Sequence, residues 1–318
     1  VLLGWLADLP LPAVLVAAAL LGAMRVLTDP VETGAATVAL PQDVQAESFD
    51  WPVSLFAERT WHIARPQPER AVIAKAADVI RSATKPLIVA GGGVIYSGAS
   101  EALARFVANS GIPVCETQAG KGSLLHEDPR SVGAVGSTGT TAANALASEA
   151  DVIIGIGTRY SDFTSASRTA FNNPDVRFVN INVASLDSVK QGGISVVSDA
   201  REALETLTDL LGDHSVSDEY SRRASELMTE WNATVSKAYR TEDGAALNQN
   251  QVIGLVNTLS DPRDIVVCAA GSMPGDLHKL WRMRDRKGYH VEYGFSCMGY
   301  EIAGGIGVRM AAPDRDVF

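Results

Sequence analysis

Two short stretches near the carboxyl end carry residue types suited to chemistry. The first, Gly271-Ser272-Met273, follows the apolar run Ile265–Cys268 and precedes a helical pattern with Pro274 near its start. Proline is favoured at the first helical position. A strand, a small-residue loop and a helix in succession present backbone N–H groups and a positive helix end to an anion such as a diphosphate. The second stretch begins with the loop Gly294-Phe295-Ser296-Cys297-Met298-Gly299. It runs into a helical pattern with Ala303, Gly304, Gly305 and Gly307 on its early turns. Each glycine costs a helix interior roughly 1 kcal/mol relative to alanine. That cost is tolerated where a backbone must approach another backbone or a ligand closely. His278, His290, Glu292 and Glu301 lie in or between these stretches and are candidate proton carriers or hydrogen-bonding groups. Each stretch alone has a plain alternative: any αβ loop can contain Gly-Ser, and a glycine-rich helix can pack under a sheet. Their spacing, from Met273 to Met298, makes the pair more informative than either.

Other segments offer weaker chemistry. Leu87-Ile88-Val89-Ala90-Gly91-Gly92-Gly93 reads as a strand entering a glycine turn, as in dinucleotide folds, but Tyr96 stands where the third glycine of the fingerprint belongs. Glu116 is placed like a ribose-binding acid, a role that needs a complete glycine motif. Gly136-Ser137-Thr138-Gly139-Thr140-Thr141 reads first as a helix N-cap. In Gly155–Asp162, Arg159 can face an anion but reads better as a solvated edge residue. Cys115, Cys268 and Cys297 are odd in number and widely spaced. They give neither a disulfide framework nor zinc spacing, so each is expected to be a small buried hydrophobe, and a reducing cytoplasm is the expected compartment.

The elements that must position these residues alternate along the chain. Helical patterns over 70–83, 99–110, 139–148 and 200–211 interleave with apolar strands at 86–90, 112–116, 152–156, 177–183 and 194–197. That is the pattern of an α/β doubly wound parallel sheet. Residues 217–239 read as a charged amphipathic helix, a solvated surface connector. Helix 249–259 and strand 265–268 open a further αβ unit. At the amino end, 12–28 reads as a helix and 36–40 as a short strand. Leu11–Met24 is apolar but too short for a bilayer and lacks a basic flank, so no membrane partner is expected. With 318 residues, 46% apolar and 20% charged, the chain has material for more than one core. A net charge of −10 argues against a nucleic-acid partner.

The terminal stretch, the Gly271-Ser272-Met273 turn and the segment "LPQDVQ" at Leu40–Gln45 together resemble thiamine diphosphate (ThDP) enzymes of the acetolactate synthase type, over nearly the whole chain. Trp61-His62-Ile63, Gln118–Gly122, Gly275–Trp281 and His290–Gly305 are most similar to the members that open a ring in inositol catabolism. The resemblance divides the chain into the end of a pyrimidine-binding domain (1–50), a linker (51–69), a central Rossmann-like domain (70–212), a helical linker (213–248) and the start of a diphosphate-binding domain (249–318). The central domain would thus be flanked by partial ThDP-binding α/β domains. It implies that Gly271, Ser272 and Met273 face the diphosphate, that Ser296, through its carbonyl, and Cys297 belong to the cofactor-facing loop, and that Met298 props the cofactor into a bent shape. His278 and Glu301 are then candidates for contact with a polyol substrate.

The implied reaction is ThDP-dependent C–C hydrolysis of a cyclic trihydroxy vicinal diketone, the cofactor acting as electron sink and water releasing an open-chain acid. An acetolactate synthase-like carboligase and a nucleotide-binding regulatory module are the rival readings. FAD is not expected, because Asn180 and Asn182 stand where FAD-holding relatives carry acids. The family builds its sites between subunits, so a homodimer or homotetramer is expected. The activating Glu and the Mg2+ motif, Gly-Asp-Gly followed by Asn, are not found here and would lie before and beyond these residues. No metal ligand is assigned. The 318-residue chain alone is expected to be inert and to bind ThDP weakly or not at all; calorimetry with magnesium tests this, and tight binding would refute it.

Overall fold

The computed structural model describes residues 41–318 apart from Phe49, Arg59, Trp61, Ala270, Tyr293, Phe295 and Ser296. The expected helix 12–28 and strand 36–40 lie outside the described residues. The chain separates into two compact units, Val1–Arg65 and Pro66–Phe318. In the first, the described residues form a helical turn at Gln42–Gln45 and a 3-10 turn at Val53–Phe56.

The second unit is built on six parallel strands: β1 (Pro86–Ala90), β2 (Val114–Glu116), β3 (Ser131–Ala134), β4 (Val152–Ile156), β5 (Arg177–Asn182) and β6 (Ile194–Val197), in spatial order β3-β2-β1-β4-β5-β6. β1 and β4 are buried throughout, so both faces of the sheet are covered. Alternate side chains go to opposite layers, as the pleat requires. Ile88 and Ile154 join Ile73, Leu103, Phe106 and Leu204, whereas Leu87 and Ile153 join Leu146, Tyr220, Leu227 and Trp231. The first layer is closed by α1 (Arg70–Arg81), the short α2 (Gly92–Tyr96), α3 (Ser100–Ser110) and, beyond the next helix, α5 (Ala200–Leu211). The second is closed by α4 (Thr141–Glu149) and α6 (Asp218–Ala238).

One expectation needs correction, and one strand was not expected. The segment 217–239 is solvated on one side only. Tyr220, Ala224, Leu227, Trp231 and Val235 recur at three- and four-residue intervals and bury a continuous stripe over the sheet, so α6 completes the core. β3 carries no clear sequence signal. It has four residues, Gly133 sits at φ +77°, and its register slips against β2 between Val114 and Cys115.

The fold then adds α7 (Gln249–Leu259), β7 (Val266–Cys268), α8 (Ser272–Leu280), β8 (Tyr289–Val291) and α9 (Tyr300–Ala311). β7 and β8 pair in parallel. Val267 N–H donates to the Phe318 carbonyl at 2.8 Å, so residues 316–318 lie along the other side of β7. α7 begins with a capping box between Asn248 and Gln251.

In open α/β sheets a nucleotide enters at the strand-order reversal, here the gap between β1 and β4. Three backbone segments meet at that place. A Cβ on Gly91 would lie 2.3 Å from the Gly157 carbonyl oxygen, one on Gly93 2.6 Å from Gly157 Cα, and one on Gly120 2.0 Å from the Ala90 oxygen. The N–H groups of Gly91 and Gly93 donate to Ile156 and Gly157 carbonyls at 2.8 and 3.0 Å. Gly120→Ala is expected to cost about 1–3 kcal/mol through overpacking. A urea unfolding midpoint equal to that of the parent would contradict this.

Candidate functional site

β7 ends at Cys268, and the chain turns at Gly271 with φ +128° and ψ −171°, a conformation that glycine alone adopts without strain. α8 starts at Ser272 with Pro274 in its first turn and has no side-chain cap, which leaves first-turn donors without a side-chain partner. Gly271, Ser272, Met273 and Pro274 line a cleft of about 420 Å3, together with Val252 and Val256 of α7, Cys268, Trp281, Phe318 and Glu301. The walls are mostly apolar, with the uncapped helix start at one place and the Glu301 carboxylate at another. Three residues expected at a diphosphate seat and one expected at a substrate thus share one concavity.

The sequence of this unit matches two known domains. Residues 73–207 match the thiamine pyrophosphate (that is, thiamine diphosphate) enzyme central domain, and residues 269–318 match the thiamine pyrophosphate enzyme C-terminal TPP-binding domain. The chain belongs to the thiamine pyrophosphate enzymes. Proteins named 3D-(3,5/4)-trihydroxycyclohexane-1,2-dione hydrolase from Geobacillus thermodenitrificans and Bacillus cereus are 44% and 41% identical to it, over 94% of this chain and 50% of their own length. One of the same name from Bacillus anthracis is 41% identical over the same shares. The chain therefore spans about half the length of the curated relatives it matches.

Within this member of the family the second stretch is organised by carboxylates. Glu292 accepts from Cys297 N–H at 2.9 Å, and Glu301 accepts from Gly299 N–H at 3.1 Å, where Gly299 sits at φ +88°. Glu301 both lines the cleft and binds the turn before its own helix. His290 Nε2 lies 2.6 Å from the Tyr300 hydroxyl, with the two rings stacked. Burial lowers the His290 pKa, and burial followed by the Glu292 charge raises that of Tyr300. Met298 is 85% exposed and is not part of the cleft wall. Cys297 is exposed, in contrast to the expected buried hydrophobe, because it lies in this loop; Cys115 and Cys268 are buried. Ser296 lies outside the described residues.

His278 points elsewhere. It is 1% exposed, its Nδ1 is 2.9 Å from the Thr138 hydroxyl, and its Nε2 has no hydrogen-bond partner among the described residues. It faces the edge of the central sheet and does not line the cleft. Around it is a polar junction whose members Glu116 and Gln118–Gly122 are noted in sequence, but not as partners of this helix. Lys121 Nζ is 3.0 Å from Glu116 Oε1 and donates to the His278 carbonyl at 2.8 Å, with the two side chains 3% and 9% exposed. Gly122 N–H donates to Glu116 Oε2 at 2.9 Å. Gln118 Nε2 donates to the Pro274 carbonyl at 3.2 Å and its Oε1 accepts from the Tyr289 hydroxyl at 3.2 Å. Glu116, placed in sequence like a ribose-binding acid, has both carboxylate oxygens engaged by its own loop. In Gly136–Thr141, Thr140 caps α4 by accepting from Ala143 N–H at 2.9 Å, while Thr138 makes the tie to His278. The Asn180 and Asn182 amides are likewise held by protein groups: Asn180 accepts from the Tyr160 hydroxyl at 2.8 Å and Asn182 donates to the Thr158 carbonyl at 3.0 Å.

Burial, reinforced by the Lys121 charge, pushes the His278 pKa down to about 3. Burial, with Arg282 and Lys121, pushes that of His126 down to about 4. The unfolded imidazole titrates near 6.5. Between that pH and the folded values, the unfolded chain binds protons that the folded chain does not. Stability is therefore full above about pH 6.5 and falls as pH drops, on the order of 1 kcal/mol per pH unit for His278. His278→Gln is expected to flatten that fall, read from urea midpoints at pH 7 and pH 5. An unchanged pH profile would disprove the assignment.

Proposed function

We propose that these residues are the central domain and the beginning of the diphosphate-binding half of a ThDP-dependent C–C hydrolase acting on a cyclic trihydroxy vicinal diketone. The observation that carries the reading is the shared cleft of Gly271, Ser272, Met273 and Glu301. The names of relatives matched along nearly the whole chain support the same substrate class. The residues present fit the group at its anionic end: a helix of nine residues with an uncapped start, entered through a glycine that leaves the approach open.

When bound, the cofactor supplies an electron sink for breaking a carbon–carbon bond beside a carbonyl. Gly271 and Ser272 then hold the diphosphate by backbone donors and the helix field. The apolar wall formed by Val252, Val256 and Trp281 would exclude water from a cofactor held in the cleft. Met298, exposed in the loop three residues before Glu301, would support the cofactor's bend, and the Ser296 carbonyl and Cys297 of the same sequence stretch would meet its aminopyrimidine. Glu301 orients a substrate hydroxyl while it holds the Gly299 turn. Mg2+ would neutralise the diphosphate charge, with oxygen ligands supplied by residues outside those described here. The intact enzyme is a homodimer or homotetramer, with the activating Glu contributed by a pyrimidine-binding domain.

The test is made on protein expressed from the complete reading frame. Ring opening of the trihydroxycyclohexanedione that depends on added ThDP and Mg2+ is expected, with no acetolactate formed from pyruvate. Gly271→Ala is expected to weaken ThDP binding about tenfold or more, because a side chain at φ +128° is strained by about 1–3 kcal/mol. Glu301→Gln is expected to raise KM for the diketone and leave ThDP affinity within a factor of about three. Acetolactate formation without ring opening would overturn the proposal in favour of a carboligase.

A further inference from the structure

We infer that Gln118 and Lys121 of the central domain are positioning residues for the diphosphate seat, acting through α8. The inference rests on the cofactor reading of Gly271–Met273. Gln118 Nε2 reaches the carbonyl of Pro274 and Lys121 Nζ that of His278, at 3.2 and 2.8 Å. These carbonyls are four residues apart, one above the other along the helix. Two donors spaced by one turn fix both the position of α8 along its axis and its rotation, whereas a single contact fixes neither. The first turn of α8 carries Ser272 and Met273 and follows directly from Gly271, so its placement decides where the backbone donors point.

The donors are themselves held. Glu116 binds Lys121 through one oxygen and Gly122 N–H through the other, which fixes the loop that carries the lysine. Gln118 is gripped through its carbonyl oxygen by the Tyr289 hydroxyl of β8, the strand paired with β7. Thr138 adds a third tie from the central domain through the His278 ring. The chemistry chosen also argues for positioning. A buried ion pair is an inefficient adhesive, since well-packed apolar side chains of similar volume hold two elements together as well or better. A charged donor aimed at one helix carbonyl sets direction, which apolar packing does not.

The inference predicts that affinity for the cofactor and thermal stability separate on mutation. Protein from the complete reading frame is compared with Gln118→Leu and with the double variant Glu116→Gln/Lys121→Met, which removes both charges and leaves neither bare. ThDP affinity is read with Mg2+ by quenching of tryptophan fluorescence, Trp281 being part of the cleft wall. The unfolding midpoint of the cofactor-free protein and hydrogen exchange of the α8 amides are read in parallel. At least a tenfold loss of ThDP affinity is expected in both variants, with α8 exchange faster by a similar factor and the midpoint within a few degrees of the parent. A lowered midpoint with unchanged ThDP affinity would make the junction adhesive only and overturn the inference, as would unchanged affinity together with unchanged exchange. If the parent protein itself binds no ThDP, the cofactor reading fails before any variant is compared.

Discussion

The arrangement of Pro66–Phe318 depends on a lysine charge held out of water. Lys121 is buried early in the loop after β2, where it has a carboxylate on one side and a helix carbonyl on the other. Moving an ammonium and a carboxylate into such a place costs several kcal/mol each, and only close geometry with further hydrogen bonds offsets it. Each partner here has those bonds: Glu116 receives Gly122 N–H, and Lys121 reaches the His278 carbonyl. The requirement propagates outward. The loop must fold back tightly at Gly120, whose backbone lies against Ala90 and Gly91 at the end of β1. The end of β1 must in turn lie against Gly157 at the end of β4. Sheet, glycine turns and the helix of the cleft are thus linked through contacts that admit little change in side-chain size.

That linkage changes the meaning of the central domain. Its strand order and its glycine turn are those of a nucleotide-binding fold. Yet Gly91 and Gly93 give their N–H groups to neighbouring carbonyls, and Glu116 is engaged by Lys121 and Gly122. These turn N–H groups and the Glu116 carboxylate are thus engaged by the protein's own groups. This region faces the TPP-binding half.

The legible part of the fold was the part set by burial on both sides. β1 and β4 read as continuous apolar runs, and α1, α5 and α7 showed their faces by period. β3 was invisible because a strand of four residues with two glycine or serine positions carries no hydrophobic period. The apolar stripe of α6 was diluted by Arg and Glu on its solvated side, so its role in the core emerged only with the partner sheet in place. Within the site, Gly271 was readable because a strand–glycine–helix junction has a backbone reason. His278 was misleading: a lone histidine in sequence has no sign of which way it faces, and it lies beside Thr138, far along the chain. The junction of Glu116, Gln118 and Lys121 joins residues about 160 positions from α8, a distance that no local pattern spans.

β3 has a consequence outside catalysis. It forms one rim of the six-stranded sheet, and a rim of unpaired backbone groups is a template onto which another chain can add. Four residues, a left-handed glycine in the middle and a slipped register make this border too brief and too crooked to serve as one. The outward carbonyls of Val132 and Ala134 are also taken, by the hydroxyl and the N–H of Thr140 at 2.9 and 2.7 Å, so this border offers few free groups to a second chain.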